Sequence, residues 1–142
     1  MKNKLNCILL IDDDEPTNFL NRMTLEQVGC ARHIQVVQSG HDALDFLMQR
    51  GKYANERDCP HPDLIFLDIN MPAMDGWEFL ARYRELSETQ KASIVMIMLT
   101  TSLNPDDQVR AKAIPEINGF ENKPLKADRL KEILSSYFPD KA

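Results

Sequence analysis

The sequence predicts an α/β fold in which a parallel sheet of five strands lies between two layers of helices. Two observations support this. Five short apolar runs occur along the 142 residues, and they alternate with segments in which apolar residues recur every three to four positions. Such alternation is typical of repeated strand–helix units, because two parallel strands must be joined by a crossover over one face of the sheet. We therefore expect a doubly wound (βα)5 sandwich.

The five strand candidates are short and differ in polarity. The first, third and fourth runs are apolar almost without a break, which is typical of strands covered on both faces. The second run contains Gln35, and the fifth contains Glu121 and Asn122, so these two strands belong at the edges. The strand order 2-1-3-4-5 places these two strands at the edges and the three apolar strands in the centre. The runs are CILLI (7–11), HIQVV (33–37), DLIFL (63–67), SIVMIML (93–99) and GFEN (119–122).

Capping residues mark where the helices begin. Ser39, Asp75 and Asn104 are predicted N-caps of the second, third and fourth helices. Gly29 is predicted to end the first helix, and Pro115 limits the fourth helix to about Ala113. The predicted apolar faces, in chain order, are Phe19, Leu20, Met23 and Val28; Ala43, Leu44, Leu47 and Met48; Phe79, Leu80 and Tyr83; and, in the fifth helix, Leu130, Ile133, Leu134 and Tyr137.

Composition narrows the function. The net charge of −5 and the pI near 5.2 argue against nucleic-acid binding, which relies on basic residues. No apolar run approaches the length of about 20 residues that a membrane helix needs, and CILLI is too short for a signal peptide. The three cysteines are odd in number and have no CxxC spacing, so we expect reduced cysteines and a cytoplasmic protein.

Polar residues follow the strands at one edge of the predicted sheet. Asp12 and Asp13 follow the first strand, and Asp68 follows the third. The predicted order reverses direction between these two strands, and ligands bind beside such a switch point at the carboxyl ends. Carboxylates this close together raise one another's pKa or require a cation, which a basic side chain or a hard divalent ion could supply. Mg²⁺ is such an ion, and it binds through carboxylates, water and phosphate oxygens. Thr100 and Lys123 end the fourth and fifth strands at the same edge.

Structural explanations apply to several of these residues. Asp14 and Glu15 fit the positive end of the first helix, so we interpret them as structural. A single threonine or lysine at a strand end is usually structural or solvated as well. Cys59 and His61 lie in a polar connection, 50–62, and two potential ligands there are weak evidence for a metal site.

Four stretches together resemble the receiver domain of two-component response regulators, including the single-domain chemotaxis regulator. They are LLIDDDEPTN, PDLIFLDINMPAMDGWEFL, IVMIMLTTS and GFENKPL. The resemblance covers essentially the whole chain and implies a flavodoxin-like fold. We expect one receiver domain over residues 1–142, with its core at about 5–138 and no output domain.

The resemblance assigns roles to the residues at the site. It implies that Asp68 is the phosphoacceptor. Asp13 would bind Mg²⁺ directly and Asp12 mainly through water, while Asn70 would bind the metal through its backbone carbonyl. Mn²⁺ could replace Mg²⁺. Ser102, together with Asn70, would flank the site and tune the hydrolysis of the phosphoryl group.

The resemblance also implies a conformational switch. Thr100 would contact the phosphoryl group, Lys123 would pair with its oxygens, and Phe120 would be the switch aromatic. As a phenylalanine on a short strand, Phe120 also fits a plain core position. The altered surface would comprise the predicted fourth helix, fifth strand and fifth helix, where a downstream protein binds.

The resemblance implies a phosphorylated signalling protein rather than an enzyme with an external substrate. The donor would be a histidine kinase or a histidine phosphotransfer domain. Three alternatives stay open: an interaction module of the same fold that takes no phosphate, a Mg²⁺-dependent phosphohydrolase with an aspartate nucleophile, and a flavin-binding module. Asn70 stands where such hydrolases generally carry a second aspartate, and four consecutive acids would repel a flavin phosphate.

Overall fold

The computed structural model describes residues 4–55, 61–91, 94–101 and 104–139. Five parallel strands form one sheet in the order β2-β1-β3-β4-β5, which confirms the predicted fold and strand order. The strands are β1 (Leu5–Ile11), β2 (Ala31–Val37), β3 (Leu64–Asp68), β4 (Val95–Thr100) and β5 (Gly119–Asn122).

Burial follows the position of each strand in the sheet. Every residue of β3 is buried, and in β1 only Asn6 is exposed. In the edge strand β2 only Val37 is buried, and no residue of β5 is. Apolar surface is removed from water most completely where helices cover both faces, so the most apolar segments take the centre.

Helices pack on both faces of the sheet. The short α4 was not predicted, so the predicted fourth and fifth helices are α5 and α6. The helices are α1 (Glu15–Val28), α2 (Gly40–Leu47), α3 (Gly76–Tyr83), α4 (Glu88–Lys91), α5 (Pro105–Lys112) and α6 (Ala127–Tyr137), and a 3₁₀ turn covers Gly51–Tyr53.

The predicted helix ends are confirmed. The side chains of Ser39, Asp75 and Asn104 each accept a hydrogen bond from a backbone N–H in the first turn of α2, α3 and α5. Gly29 ends α1 with a φ of 67°, in the left-handed region that favours glycine. Ala113 is the C-cap of α5.

Two apolar cores lie on opposite faces of the sheet, because successive strand residues point to opposite faces. Leu9 and Ile65 belong to the core that α2 and α3 complete. Leu10 and Phe66 belong to the core that α1 and α6 complete. Each central strand therefore contributes to both cores.

The apolar face predicted for α1 is wrong. Phe19 is 65% exposed, Leu20 48% and Met23 40%, and of the predicted face only Val28 packs against the core. The helix turns another side inward, on which two asparagines form hydrogen bonds with backbone groups outside the helix. The buried residues of α1 are Asn18, Asn21 and Leu25.

Two further residues of the predicted apolar faces lie near the surface, while the other predicted residues of α2 and α6 are buried. Met48 is the C-cap of α2, and Tyr137 is the last residue of α6. A side chain at a helix end has no following turn of helix to pack against it, so it is more exposed to solvent. Tyr137 instead donates its hydroxyl to the carbonyl of Asn118, at 2.7 Å.

The expectation of reduced cysteines is wrong for Cys7, which forms a disulfide bond. Cys30 is free and buried. Spacing along the sequence could not show this, because a disulfide depends on distance in the folded chain. Cys59 lies outside the described residues. Within the described ranges, no helix is long and apolar enough to cross a membrane.

Candidate functional site

Three carboxylates converge at the carboxyl edge of the sheet. Asp12 and Asp13 follow β1, and Asp68 is the last residue of the neighbouring β3. Each offers an oxygen, and these oxygens lie within 4.8 Å of one another. Asp12 and Asp68 are buried, whereas Asp13 is exposed. The predicted convergence of acids is therefore confirmed.

Lys123 lies between the two buried carboxylates. Its Nζ donates to Oδ2 of Asp12 at 3.0 Å and to Oδ1 of Asp68 at 2.9 Å. The backbone N–H of Lys123 donates to the carbonyl of Thr100 at 2.7 Å, which ties the start of this loop to the end of β4. The peptide bond from Lys123 to Pro124 is cis. Lys123 is 111 positions from Asp12 and 55 positions from Asp68 in the sequence, yet its ammonium group binds both carboxylates.

Burial dominates the electrostatics of Asp68. The pKa of Asp68 is raised to about 6, chiefly by burial and also by the charge of Asp12. The hydrogen bond from Lys123, the charge of Lys123 and a hydrogen bond from the backbone N–H of Asn70 oppose this rise. Burial opposes the charge of the Lys123 ammonium, but the hydrogen bonds to Asp68 and Asp12 outweigh it and raise the pKa of Lys123. The ion pairs therefore keep the lysine charged.

Thr100, Phe120 and Asn70 lie where the sequence placed them. Thr100 is buried at the end of β4, one residue beyond Leu99, which pairs with Asp68. Phe120 is half-buried on β5 and packs against the core, beside a cavity of about 140 Å³ between α5 and β5. Asn70 is exposed in the loop after β3. Ser102 lies outside the described residues.

Asp14 has the structural role expected of it. It is the N-cap of α1, and its carboxylate accepts hydrogen bonds from the hydroxyl and the backbone N–H of Thr17. These bonds lower the pKa of Asp14. Glu15 follows in the first turn, near the positive end of the helix.

Two asparagines on α1 support the site, and the sequence reasoning missed both. Asn18 donates its side-chain N–H to the backbone carbonyl of Asp12 at 2.8 Å. Asn21 accepts the backbone N–H of Leu125 at 2.8 Å. Their spacing of three residues places both on one side of the helix and could have indicated a polar buried face. The apolar residues on the adjacent side led to the other prediction.

Gly76 is a third residue that the sequence did not indicate, because its neighbour Asp75 was expected only to cap the helix. The N–H of Gly76 donates to the carbonyl of Ile69 at 2.7 Å. A Cβ at this position would lie 2.7 Å from the carbonyl oxygen of Asp68. Only glycine lets the start of α3 approach the backbone of the acidic residue so closely.

The donor set fits a hard divalent cation. Carboxylate oxygens are the ligands that Mg²⁺ and Mn²⁺ prefer, and the exposed side at Asp13 leaves room for the waters that Mg²⁺ retains. With all three acids ionised, one ammonium leaves two negative charges unbalanced. A divalent cation would neutralise them.

The sheet topology and the acids at its switch point match those expected of a receiver domain, and comparison with known proteins agrees. Residues 8–135 match the model of the response regulator receiver domain. The chain therefore belongs to the response regulator receiver family of two-component signalling.

One similar sequence is response regulator Rcp1 of Synechocystis sp., 34% identical over 102 residues, which cover 72% of this chain and 66% of Rcp1. Another is hybrid signal transduction histidine kinase L of Dictyostelium discoideum, 31% identical over 134 residues, or 94% of this chain and 7% of the kinase. The aligned segment thus covers just under two thirds of the Rcp1 sequence and a small part of the kinase.

Solved structures agree over nearly the whole chain. A two-component response regulator from Cytophaga hutchinsonii has a TM-score of 0.84 at 33% identity, covering 96% of this chain and 99% of the other. The phosphorylated cyanobacterial phytochrome response regulator RcpA has a TM-score of 0.75 at 29% identity, and the Mn²⁺-bound form of Rcp1 has 0.73 at 28%. For both, 96% of each chain is covered.

Proposed function

We propose that this receiver accepts a phosphoryl group on Asp68 in a Mg²⁺-dependent reaction. The observation that carries the proposal is the position of the Lys123 ammonium, within 3.0 Å of both Asp12 and Asp68. A buried carboxylate with a neighbouring cation can act as a nucleophile toward phosphorus, since phosphoryl transfer depends mainly on position and charge balance. Phosphorylation of the related RcpA supports the same chemistry here.

The donor in this proposal is a phosphohistidine of a histidine kinase or a histidine phosphotransfer domain. An oxygen of Asp68 forms the new P–O bond while the P–N bond to the imidazole breaks. The imidazole nitrogen keeps the electron pair of that bond and takes up a proton. Asp68 must be ionised to attack, and the hydrogen bond from Lys123 favours the ionised form.

Asp12, Asp13 and Asp68, with the backbone carbonyl of Asn70, would hold Mg²⁺ or Mn²⁺. When bound, such an ion supplies positive charge beside the phosphoryl oxygens. Lys123 supplies the second positive charge, and it is already held at the carboxylate that reacts. The Mn²⁺-bound form of the related Rcp1 supports a divalent ion at this edge.

The switch follows from the charge that phosphorylation adds, roughly −1.5 to −2 at neutral pH. In our proposal Thr100 moves toward the phosphoryl group and Phe120 fills the space that it leaves. The cavity beside Phe120, bordered by Ala111 of α5, provides room for rearrangement. The surface of α5, β5 and α6 changes, and a downstream protein binds there.

The protein in this proposal modifies only itself and turns over no external substrate. We place it in the cytoplasm with its phosphohistidine donor, although the disulfide bond of Cys7 is unusual there. A phosphohydrolase with an aspartate nucleophile would need a second acid two residues after Asp68, and Asn70 stands there. Turnover of a small phosphate ester would distinguish that alternative. An interaction module that takes no phosphate would fail the experiment below.

The experiment is intact mass spectrometry after incubation with acetyl phosphate and Mg²⁺. Wild-type protein should gain one phosphoryl group, and the gain should disappear with EDTA and in Asp68→Ala. A wild-type protein that gains nothing from either acetyl phosphate or a phosphohistidine donor would refute phosphoacceptor activity. An equal gain of mass in Asp68→Ala would show that another residue accepts the phosphoryl group.

A further inference from the structure

One side of α1 is polar although it faces the interior of the protein. We call Asn18, Asn21 and Thr24 the polar face of α1. Asn18 is 5% exposed and Asn21 1%. Burying an amide destabilises the folded state unless the amide forms hydrogen bonds, so the partners of these side chains indicate the role of the polar face.

On one side of the site, the polar face holds the segment that carries Lys123. The side-chain oxygen of Asn21 accepts the backbone N–H of Leu125 at 2.8 Å, and the hydroxyl of Thr24 lies 3.1 Å from the carbonyl of Leu125. Two residues earlier, the N–H of Lys123 donates to Thr100. The segment 123–125 is therefore fixed at both ends, by β4 and by α1.

On the other side, the polar face holds the strand end that carries the acids. Asn18 donates to the carbonyl of Asp12, whose side chain accepts the Lys123 ammonium. One helix thus fixes both the acid and the base of the same ion pair. Asn18 and Asn21 are one turn apart, so the spacing of the two attachments is that of the helix.

We propose that Asn21 is a positioning residue that sets the rate of phosphorylation through Lys123. By accepting the N–H of Leu125, it holds the segment 123–125 where the ammonium reaches both carboxylates. The inference rests on the proposed function, since it names a residue that controls the same reaction. Small displacements of a catalytic group reduce rates strongly, by as much as ~100-fold for about 1 Å.

The test compares two substitutions at one position. Asn21→Leu keeps the branched arrangement of four side-chain heavy atoms but removes the acceptor, and it should slow phosphorylation by acetyl phosphate about 10- to 100-fold. Asn21→Asp keeps an acceptor oxygen whether or not it is protonated, and it should stay within about threefold of wild type. The affinity for Mg²⁺ should not fall in Asn21→Leu, because the carboxylates stay in place. Loss of Mg²⁺ binding together with rate would instead show general damage to the site and overturn the proposal.

Leu25→Ala is the matched control on the same helix. Leu25 is buried but apolar, so its truncation should lower stability. At a temperature where the variant is folded, its phosphorylation rate should equal that of wild type. An equal slowing in Leu25→Ala and Asn21→Leu would show that the rate depends on the packing of α1 and not on the hydrogen bond to Leu125.

A double-mutant cycle tests the route through Lys123. If Asn21 acts through the lysine, Asn21→Leu should add no further slowing in a Lys123→Ala background. Equal losses in both backgrounds would refute the proposal. If Lys123→Ala reacts too slowly to measure, the same cycle can be built from the affinity for beryllofluoride in the presence of Mg²⁺, measured by calorimetry.

The two proposals fail in different ways. A wild-type protein that takes no phosphoryl group refutes the phosphoacceptor function itself. A wild-type protein that is phosphorylated normally, with Asn21→Leu at the same rate, refutes only the positioning role of Asn21.

Discussion

The helices α1 and α3 both begin beside the candidate site, yet they are attached to the sheet by different means. α3 buries an apolar face, with Phe79, Leu80 and Tyr83 inside. α1 buries two amides, Asn18 and Asn21, beside Leu25, and it leaves Phe19, Leu20 and Met23 near the surface. The difference shows that α3 is held by packing alone among these contacts, whereas α1 adds directed hydrogen bonds to the segments that carry the acids and the lysine.

Truncating the apolar attachment of α3 should have the largest effect on stability. Phe79 is fully buried, so Phe79→Ala should lower the free energy of unfolding by about 3–5 kcal/mol, because contacts are lost and a cavity remains. Urea denaturation measures this change. A loss below about 1 kcal/mol would mean that α3 does not depend on its apolar face, and the contrast with α1 would fail.

Asp68 should make stability depend on pH. Its folded-state pKa of about 6 lies above the ordinary value of 3.8, so its contribution to stability is complete below about pH 4 and is lost as the pH rises through 6. In metal-free protein at pH 8, Asp68→Asn should therefore raise the free energy of unfolding by about 1–3 kcal/mol. The gain should shrink toward pH 4.

Chemical denaturation at several pH values, with EDTA present, checks this prediction. Glu78→Gln is a suitable control, since Glu78 is exposed on α3 and its effect should be small at every pH. A stabilisation by Asp68→Asn that does not change between pH 4 and 8 would contradict the assigned cause.

Because α3 approaches the backbone at Asp68 closely, a side chain at Gly76 should have an intermediate effect on stability. In Gly76→Ala the new methyl would meet a backbone carbonyl at 2.7 Å, which cannot move cheaply, so we expect a loss of about 1–3 kcal/mol and slower phosphorylation. In Gly119→Ala the new methyl would meet Cδ1 of Ile97 at the same 2.7 Å. That atom ends a flexible side chain, so the loss should be smaller. Equal losses in thermal or urea denaturation would contradict this account.

The exposed apolar residues of α1 should contribute least to stability. Phe19→Ser should change the free energy of unfolding by no more than about 0.5 kcal/mol, because the side chain is mostly exposed. The buried Leu25→Ala on the same helix should cost about 2–5 kcal/mol. If Phe19→Ser were the more damaging of the two in urea denaturation, α1 would be oriented as its apolar pattern first indicated.

The same contrast explains how far the sequence could predict this molecule. The strand runs, the caps at Ser39, Asp75 and Asn104 and the stop at Gly29 are local signals, and the structure confirms them. The convergence of Asp12, Asp68 and Lys123 followed from strand order, because parallel strands end at one edge.

The orientation of α1 could not be predicted in this way. The partners of Asn18 and Asn21 are backbone groups of Asp12 and Leu125, and the second is 104 residues away. Hydrophobic periodicity carries no information about such bonds, so it selected the adjacent apolar side. The disulfide at Cys7 and the close approach at Gly76 likewise depend on distances that exist only in the folded chain.

The central claim is that Asp68 itself carries the phosphoryl group, and borohydride reduction tests it most directly. Reduction of an aspartyl phosphate converts that residue to homoserine, which peptide mass spectrometry locates. After treatment with acetyl phosphate and Mg²⁺, we expect homoserine at position 68 and unmodified aspartate at 12 and 13. Homoserine at position 12 or 13, or at none of the three in protein shown to be phosphorylated, would contradict the account.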